Sequence, residues 1–375
     1  MRISKEKAKN IWIHAQKLDH VAPFGKGTQA VAAAVRHLGY VQIDTISVIE
    51  RCHHHILYNR IPDYRVTDLH QAQSKDKSVF EYWTHALAYI SADDFRYFMA
   101  QMKSRRISKS TWMQSIAPGD YKKVKDLLKE GPISIRDIKD DVLIEKQHLW
   151  ASSKPSKKAL QLGFYTGEFT ISERVGMLKM YDYSKRHFGW DKSPKAASEA
   201  ETMKYILERS LRSQGLISLE STSYLEKFNF KQRMQRLIDK QVQDRQLVEV
   251  QIEGIEKCRY WIRPTLLEKK IPSSELTHIL SPFDPLTIQR KRLKMFFDYE
   301  HVFEAYIPPI KRKFGYFALP VLMGAEIVAV IDLKTDRQKQ ALLVQKWTWL
   351  KKFRSKEKKK KIEAELDRFE RFQFQ

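Results

Sequence analysis

The order in which helix and strand signals follow one another constrains this chain more than any single motif. It is clearest mid-sequence. "APGDYKKVKDLLKEGPISIRDIKD" predicts a helix stopped at Gly131 and a short second helix opened by Ser134. Glycine readily adopts the left-handed conformation that ends a helix, and serine accepts from the free N–H groups that begin one. "SSKPSKKALQLGFYTGEFTISERVGMLKMYDYS" then predicts a third helix and two strands, "FYTGEFTI" and "GMLKMYDY", with "SER" at the turn. Three helices followed by a hairpin is the order of a winged helix, a helix-turn-helix variant.

Two further segments share this layout. In the first, Ser4 caps a helix with Ile11 and Leu18 on its apolar side, Thr28 caps a second and Gly39 ends it, and "YVQIDTISVI" is β-prone. In the other, a long helix ends near Gly215, two shorter helices follow, and "LVEVQI" and "CRYWI" are joined through Gly254. From about residue 280 short β-rich runs are punctuated by Pro and Gly, with "VLMGAEIVAVIDLK" as a hairpin. The expectation is an α+β chain of tandem winged-helix motifs with a small C-terminal antiparallel β-barrel. Its segments are 1–110 (first winged helix, with the candidate strand and a helical extension), 111–195 and 196–270 (second and third winged helices), 271–346 (barrel) and 347–375 (basic tail).

Lysine and arginine number 68 against 45 acidic residues, a net charge of +23. That balance favours polyanionic partners through counterion release: DNA, RNA or ribosomes. An anionic membrane surface fits less well, because no apolar amphipathic anchor accompanies the charge. No long apolar run predicts a membrane span, and the charged N-terminus lacks the core of a signal peptide. Cys52 and Cys258 lie too far apart in sequence to suggest a disulfide framework. A cytoplasmic, nucleoid-associated protein is expected, and a monomer, since no coiled coil or dimerisation helix is evident.

P-loop, Rossmann, zincin and CxxC signatures do not occur, and no metal or cofactor is expected. In "VQIDT" strand alternation would put Gln42 and Asp44 on one face and Val41, Ile43 and Thr45 on the other. A carboxamide can hold a water and a carboxylate can take its proton, although alternating polar residues commonly just face solvent. His53, His54 and His55 are consecutive, so at most two converge on a strand, a poor metal site; packing together with hydrogen bonds to DNA or to Asp44 fits better, the alternative being satisfied structural histidines. Tyr82, Trp83 and His85 in "FEYWTHALAYI" are mostly core in expectation, with Trp83 or Tyr82 able to stack on a base and His85 a candidate DNA contact. Arg290 and Arg292, and Lys311, Arg312 and Lys313 in "PPIKRKFGYF", are candidate phosphate grips or plain surface charge.

"LGYVQIDTIS", "RCHHHILYNRIPDY", "FEYWTHALAYI", "LSPFDPLTIQRKRLKMFF" and "IPPIKRKFGYFALPVLMGAEIVAVIDLK" together resemble the bacterial winged-helix crosslink-repair DNA glycosylases, the YcaQ/AlkZ-like family, to about residue 346. The resemblance implies tandem winged helices with a small β-barrel. It also implies excision of N7-alkylated purines and unhooking of interstrand crosslinks of the nitrogen-mustard type in double-stranded DNA, leaving an abasic site. The family's catalytic signature, Gln, apolar, then Gln or Asp, maps onto Gln42, Ile43 and Asp44. The Asp form resembles the AlkX branch, associated with broader crosslink unhooking. The rival readings are a non-catalytic winged-helix regulator and an RNA- or ribosome-associated factor.

Overall fold

The computed structural model describes residues 1–107, 111–140, 154–222, 228–350 and 353–375. They form a mixed α+β fold in two compact units. One contains Met1–Leu69, Thr84–Ala88 and Met203–Gln375, the other His70–Trp83 and Tyr89–Thr202. These units cut across the five sequence segments for a physical reason. The N-terminal strand Arg2–Ile3 pairs in parallel with Val248–Ile252, which pairs antiparallel with Tyr260–Ile262, itself paired with Leu216–Ile217. One core then draws on Trp12 from the first segment, Ile262 from the third, and Phe296 and Val330 from the fourth. No helix among the described residues is long and apolar enough to cross a membrane.

Several local expectations are met and others corrected. Ser4 Oγ accepts from the Lys7 N–H at 3.1 Å and caps helix Lys5–Ala15. Helix Gly27–Leu38 begins after Lys26, whose extended backbone supplies the N-cap, so Thr28 already lies inside it. Helix Phe228–Gln243 has 16 residues, as many as Glu199–Gln214, so it is not one of two shorter helices.

The C-terminal sheet orders its strands Thr277–Ile279, Ala318–Met323, Glu326–Asp336 and Ala341–Trp349, all antiparallel. This linear order leaves two edges, so the expected barrel is not closed among the described residues. Helix Lys356–Gln373 packs on both edge strands, and Glu370 Oε1 accepts the edge N–H of Leu342 at 2.7 Å. A helix thus covers edges that a barrel would have paired. The same helix buries Phe369 and Phe372 against the aromatic side of helix Cys52–Tyr58, where Tyr58 and Phe372 stack 4.5 Å apart.

Arg60 is buried between three elements of this unit and uses all five of its donors. They reach Gln16 O and Oε1, Ile56 O, and both carboxylate oxygens of Asp284 at 2.7 and 3.0 Å. Asp284 comes from the motif "SPFDPLT", whose role is therefore to anchor.

In the second unit helix Pro118–Glu130 ends at Gly131. Ser134 opens no helix; its N–H and Oγ donate to Asp137 Oδ2, closing a turn. Helix Pro155–Tyr165 absorbs the Phe164–Tyr165 pair expected in a strand. The hairpin pairs Phe169–Val175 with Leu178–Tyr183, so Ser172, Glu173 and Arg174 lie in the strand. The turn falls at Gly176, whose φ of +61° costs little without a Cβ. Arg174 and Glu81 form a buried bidentate pair at 2.5 and 2.6 Å.

Candidate active site

Gly39 ends helix Gly27–Leu38 at φ +82°, and a Cβ there would lie 2.2 Å from Arg209 Cδ. Glycine both makes the turn and lets Arg209 cross the backbone. The guanidinium sits 6.0 Å from the Tyr40 ring and 5.6 Å from the Tyr205 ring, in cation–π range of both.

The chain then runs extended for only two residues, Val41–Gln42. Ile43 N–H still donates to Leu87 O at 2.8 Å, after which the ladder ends. Asp44 therefore lies outside the strand, and the expected shared strand face is replaced by a local turn: Asp44 Oδ1 accepts the Ile46 N–H at 2.8 Å. Two downstream clamps hold this irregular run. Thr335 N–H donates to Val48 O at 2.9 Å, and Arg337 Nη2 donates to Ser47 O and Oγ at 3.1 and 2.8 Å.

Gln42 is buried and Asp44 half-buried. His85 Nε2 is 3.0 Å from Gln42 Oε1. Burial, then the nearby Arg209 charge, pushes the His85 pKa down to about 4, so the ring is neutral at physiological pH. With a carbonyl oxygen as partner, the proton sits on Nε2 and His85 donates. This orients the carboxamide, leaving its NH2 to other acceptors. Tyr40 meets the His85 ring edge-on at 4.8 Å. Behind the strand, Cys52 Sγ donates to Gln42 O at 3.2 Å. Burial, and then the Asp44 charge, push its thiol pKa well up, so it is an inert structural group. The result is a carboxylate with one oxygen tied to its own loop, and an amide fixed by a neutral imidazole. A carboxamide can hold a water, and a carboxylate can accept a proton and place negative charge near a developing cation.

The other sequence candidates separate by burial. His53, His54 and His55 lie inside helix Cys52–Tyr58 and are all buried. His55 Nε2 donates to Ile279 O at 2.7 Å, and His54 Nδ1 lies 2.7 Å from Tyr64 Oη. They are packing residues, and the expected contact with DNA gives way because they offer almost no surface to a phosphate. Tyr82 is buried and donates to Tyr165 O at 2.7 Å, so it is core and not a stacking platform. Trp83 is half-buried, 6.1 Å from the Tyr165 ring in a stacked arrangement.

Arg292 is also excluded as a phosphate grip. Its guanidinium is buried 4.1 Å from the Trp12 ring and donates to Gln214 Oε1 and Leu216 O at 2.6 and 2.7 Å. Helical spacing explains the difference within one run: Arg290 and Lys291 are exposed while Arg292 points inward. Lys311 and Lys313 are exposed, and Arg312 is half-buried with Nε on Ile307 O at 2.7 Å.

Among the described residues, one group brings three metal-type ligand atoms within 4.8 Å: His14, Asp19 and His20. Each imidazole Nδ1 already hydrogen-bonds one Asp19 oxygen, at 2.7 and 2.5 Å, which accounts for the cluster. Sequence reasoning missed Tyr40, Arg209, Ser47 and Arg337. Only Gly39 hinted at a close approach; Arg209 and Arg337 reach the site from distant parts of the chain.

Residues 35–372 match the family described as DNA glycosylase AlkZ-like. The fold is similar to that of a Streptomyces sahachiroi protein solved as DNA glycosylase AlkZ, with a TM-score of 0.64 at 15% identity, over 100% of this chain and 97% of that one. The family match extends through the C-terminal helix, past the point where the sequence resemblance ended.

Proposed function

Because the chain belongs to the AlkZ-like DNA glycosylase family, we propose that it is a monofunctional glycosylase for N7-alkylated purines that also unhooks nitrogen-mustard-type crosslinks, with Asp44 and Gln42 as its catalytic residues. A DNA glycosylase cleaves the bond between C1′ and the base nitrogen. Alkylation at guanine N7 places a positive charge on the base, so the base leaves with the bonding electron pair as a neutral molecule and needs no strong acid. The demands that remain are stabilisation of the oxocarbenium-like sugar and delivery of water.

What supports this reading is that each of the two side chains is held in place. Asp44 is half-buried with Oδ1 on the Ile46 N–H, and Gln42 is oriented by His85. The carboxylate supplies negative charge beside C1′ and takes the proton as water oxygen bonds to that carbon; the amide positions that water. The products are free alkylated base and an abasic site. No amine nucleophile takes part, so no strand cleavage accompanies excision.

The test is incubation with duplex carrying N7-methylguanine, and separately a mustard crosslink, followed by alkali. Strand breaks at the lesion in wild type, with Asp44→Asn binding the duplex but about 10²–10⁴-fold slower in excision, support the assignment. No product on either substrate points to a DNA-binding protein without this activity. An Asp44→Asn variant as active as wild type removes Asp44 from the mechanism.

A further inference from the structure

We propose that Tyr306 and Ile310 form an apolar wedge that enters the base stack of duplex DNA. The wedge rests on the reading above only in taking duplex DNA as the substrate.

The loop between Glu304 and Phe317 combines a rigid base with an apolar tip. Glu304 is buried and collects three backbone donors: Lys313 N–H on Oε1 at 2.8 Å, and Phe314 and Gly315 N–H on Oε2 at 2.7 and 2.9 Å. Buried Asp332 collects two more, from Tyr316 and Phe317 at 2.9 and 2.8 Å. Gly315 has φ +138°, and a Cβ there would lie 2.1 Å from Asp332 Oδ2, so the backbone reaches this carboxylate only without a side chain. Pro308 and Pro309 stiffen the turn further.

What this scaffold holds up is apolar. Ile310 is 93% exposed and Tyr306 81%, the most exposed large hydrophobic residues described. A flexible loop could fold such side chains back; two buried carboxylates bonded to its base oppose that. Lys311 and Lys313 are exposed beside the tip. The loop, through Pro309, Arg312, Gly315 and Tyr316, lines a cavity of about 610 Å³ that also includes Ser47, Lys334 and Arg337. Ser47 lies three residues after Asp44, so cavity and wedge adjoin the segment that carries the candidate chemistry.

The occupant follows from the charge. Two apolar side chains are too little for a stable protein interface, and membrane anchoring needs a broader apolar face. An apolar tip flanked by cations matches a base step between phosphates: the side chains unstack bases and the lysines hold the backbone. For a base tethered to the opposite strand, which cannot be swallowed into a deep pocket, parting the stack exposes the glycosidic bond.

The full chain is mixed with duplex carrying 2-aminopurine next to N7-methylguanine, as wild type and as Tyr306→Ala/Ile310→Ala. Both positions are exposed, and an unchanged melting temperature checks the fold. The wedge predicts a fluorescence rise on wild-type binding that the double variant loses. It also predicts at least a tenfold loss of excision from duplex and no loss from single-stranded DNA. A double variant that keeps the fluorescence rise overturns the proposal, as does a wild type that gives none. Altered self-association or vesicle binding with unchanged fluorescence also overturns it. If wild type excises nothing, the glycosylase specificity fails while the fluorescence arm still decides the wedge.

Discussion

His85 donates Nε2–H to Gln42 Oε1 at 3.0 Å, so the orientation of the candidate water-holding amide is set by an imidazole 43 positions away in the sequence. His85 is a positioning residue in this arrangement. His85→Ala should lower kcat roughly tenfold to a hundredfold, the cost of a misplaced reacting group, with KM for N7-methylguanine duplex little changed. An equal loss carried by KM alone would make His85 a DNA-binding residue instead.

The buried histidines predict how stability depends on pH. His55, His187, His278 and His301 are each held neutral, burial being the largest cause, with pKa lowered from 6.5 to about 4. Between those values the unfolded chain binds protons that the folded chain refuses. Stability is therefore complete above about pH 6.5 and is lost as pH falls toward about 4, by roughly 1.4 kcal/mol per pH unit for each proton taken up. The melting temperature should hold from pH 7.5 to about 6.5 and then fall toward pH 5; a flat or rising profile below about pH 6.5 would contradict this burial.

The arginines and lysines of two basic runs should behave oppositely. Lys311→Ala removes an exposed cation beside the proposed wedge, and should leave stability unchanged while reducing the slope of log K against log salt by about 1. Arg292→Ala leaves the Gln214 and Leu216 oxygens without their buried donor beside Trp12, and should destabilise the fold by about 1–3 kcal/mol for each unsatisfied oxygen. A salt-slope change on a normally stable Arg292→Ala would return that residue to the DNA surface.

What the sequence made legible was local. Ser4, Gly131 and Gly254 mark ends and turns because cap and turn chemistry acts over a few residues. Gln42 and Asp44 were reached by alternation and family resemblance, but the strand stops at Gln42, and Asp44 is set by its own loop, whose following residues Ser47 and Val48 are held by Arg337 and Thr335. Those contacts are long-range, and nothing in the composition of residues 40–60 reports them. The three histidines misled because an imidazole reads as functional whether it faces a ligand or a backbone carbonyl. Only the fold, which sets Ile279 against His55, decides between the two.

The C-terminal segment reads in sequence as a cationic tail that could contact DNA, yet its helix is built into the folded unit. Ser355 Oγ caps Lys356–Gln373 through the Lys358 N–H at 3.1 Å. Its lysines partly pair along the helix, Lys359 with Glu363 and Lys361 with Glu357, and such exposed pairs contribute little. The helix is held from its other face: the fully buried Phe369 ring lies 4.6 Å from His55 and 5.4 Å from Tyr58, and Gln373 Oε1 accepts the Glu50 N–H at 2.7 Å. Phe369→Ala should therefore cost about 3–5 kcal/mol. Because helix Cys52–Tyr58 also backs Gln42 through Cys52, the variant should lose excision activity at a lower temperature than wild type. Lys359→Ala/Lys360→Ala should change neither melting temperature nor activity at low salt. If instead the lysine variant lost DNA affinity and Phe369→Ala remained fully stable, the tail would be a DNA contact and its packing incidental.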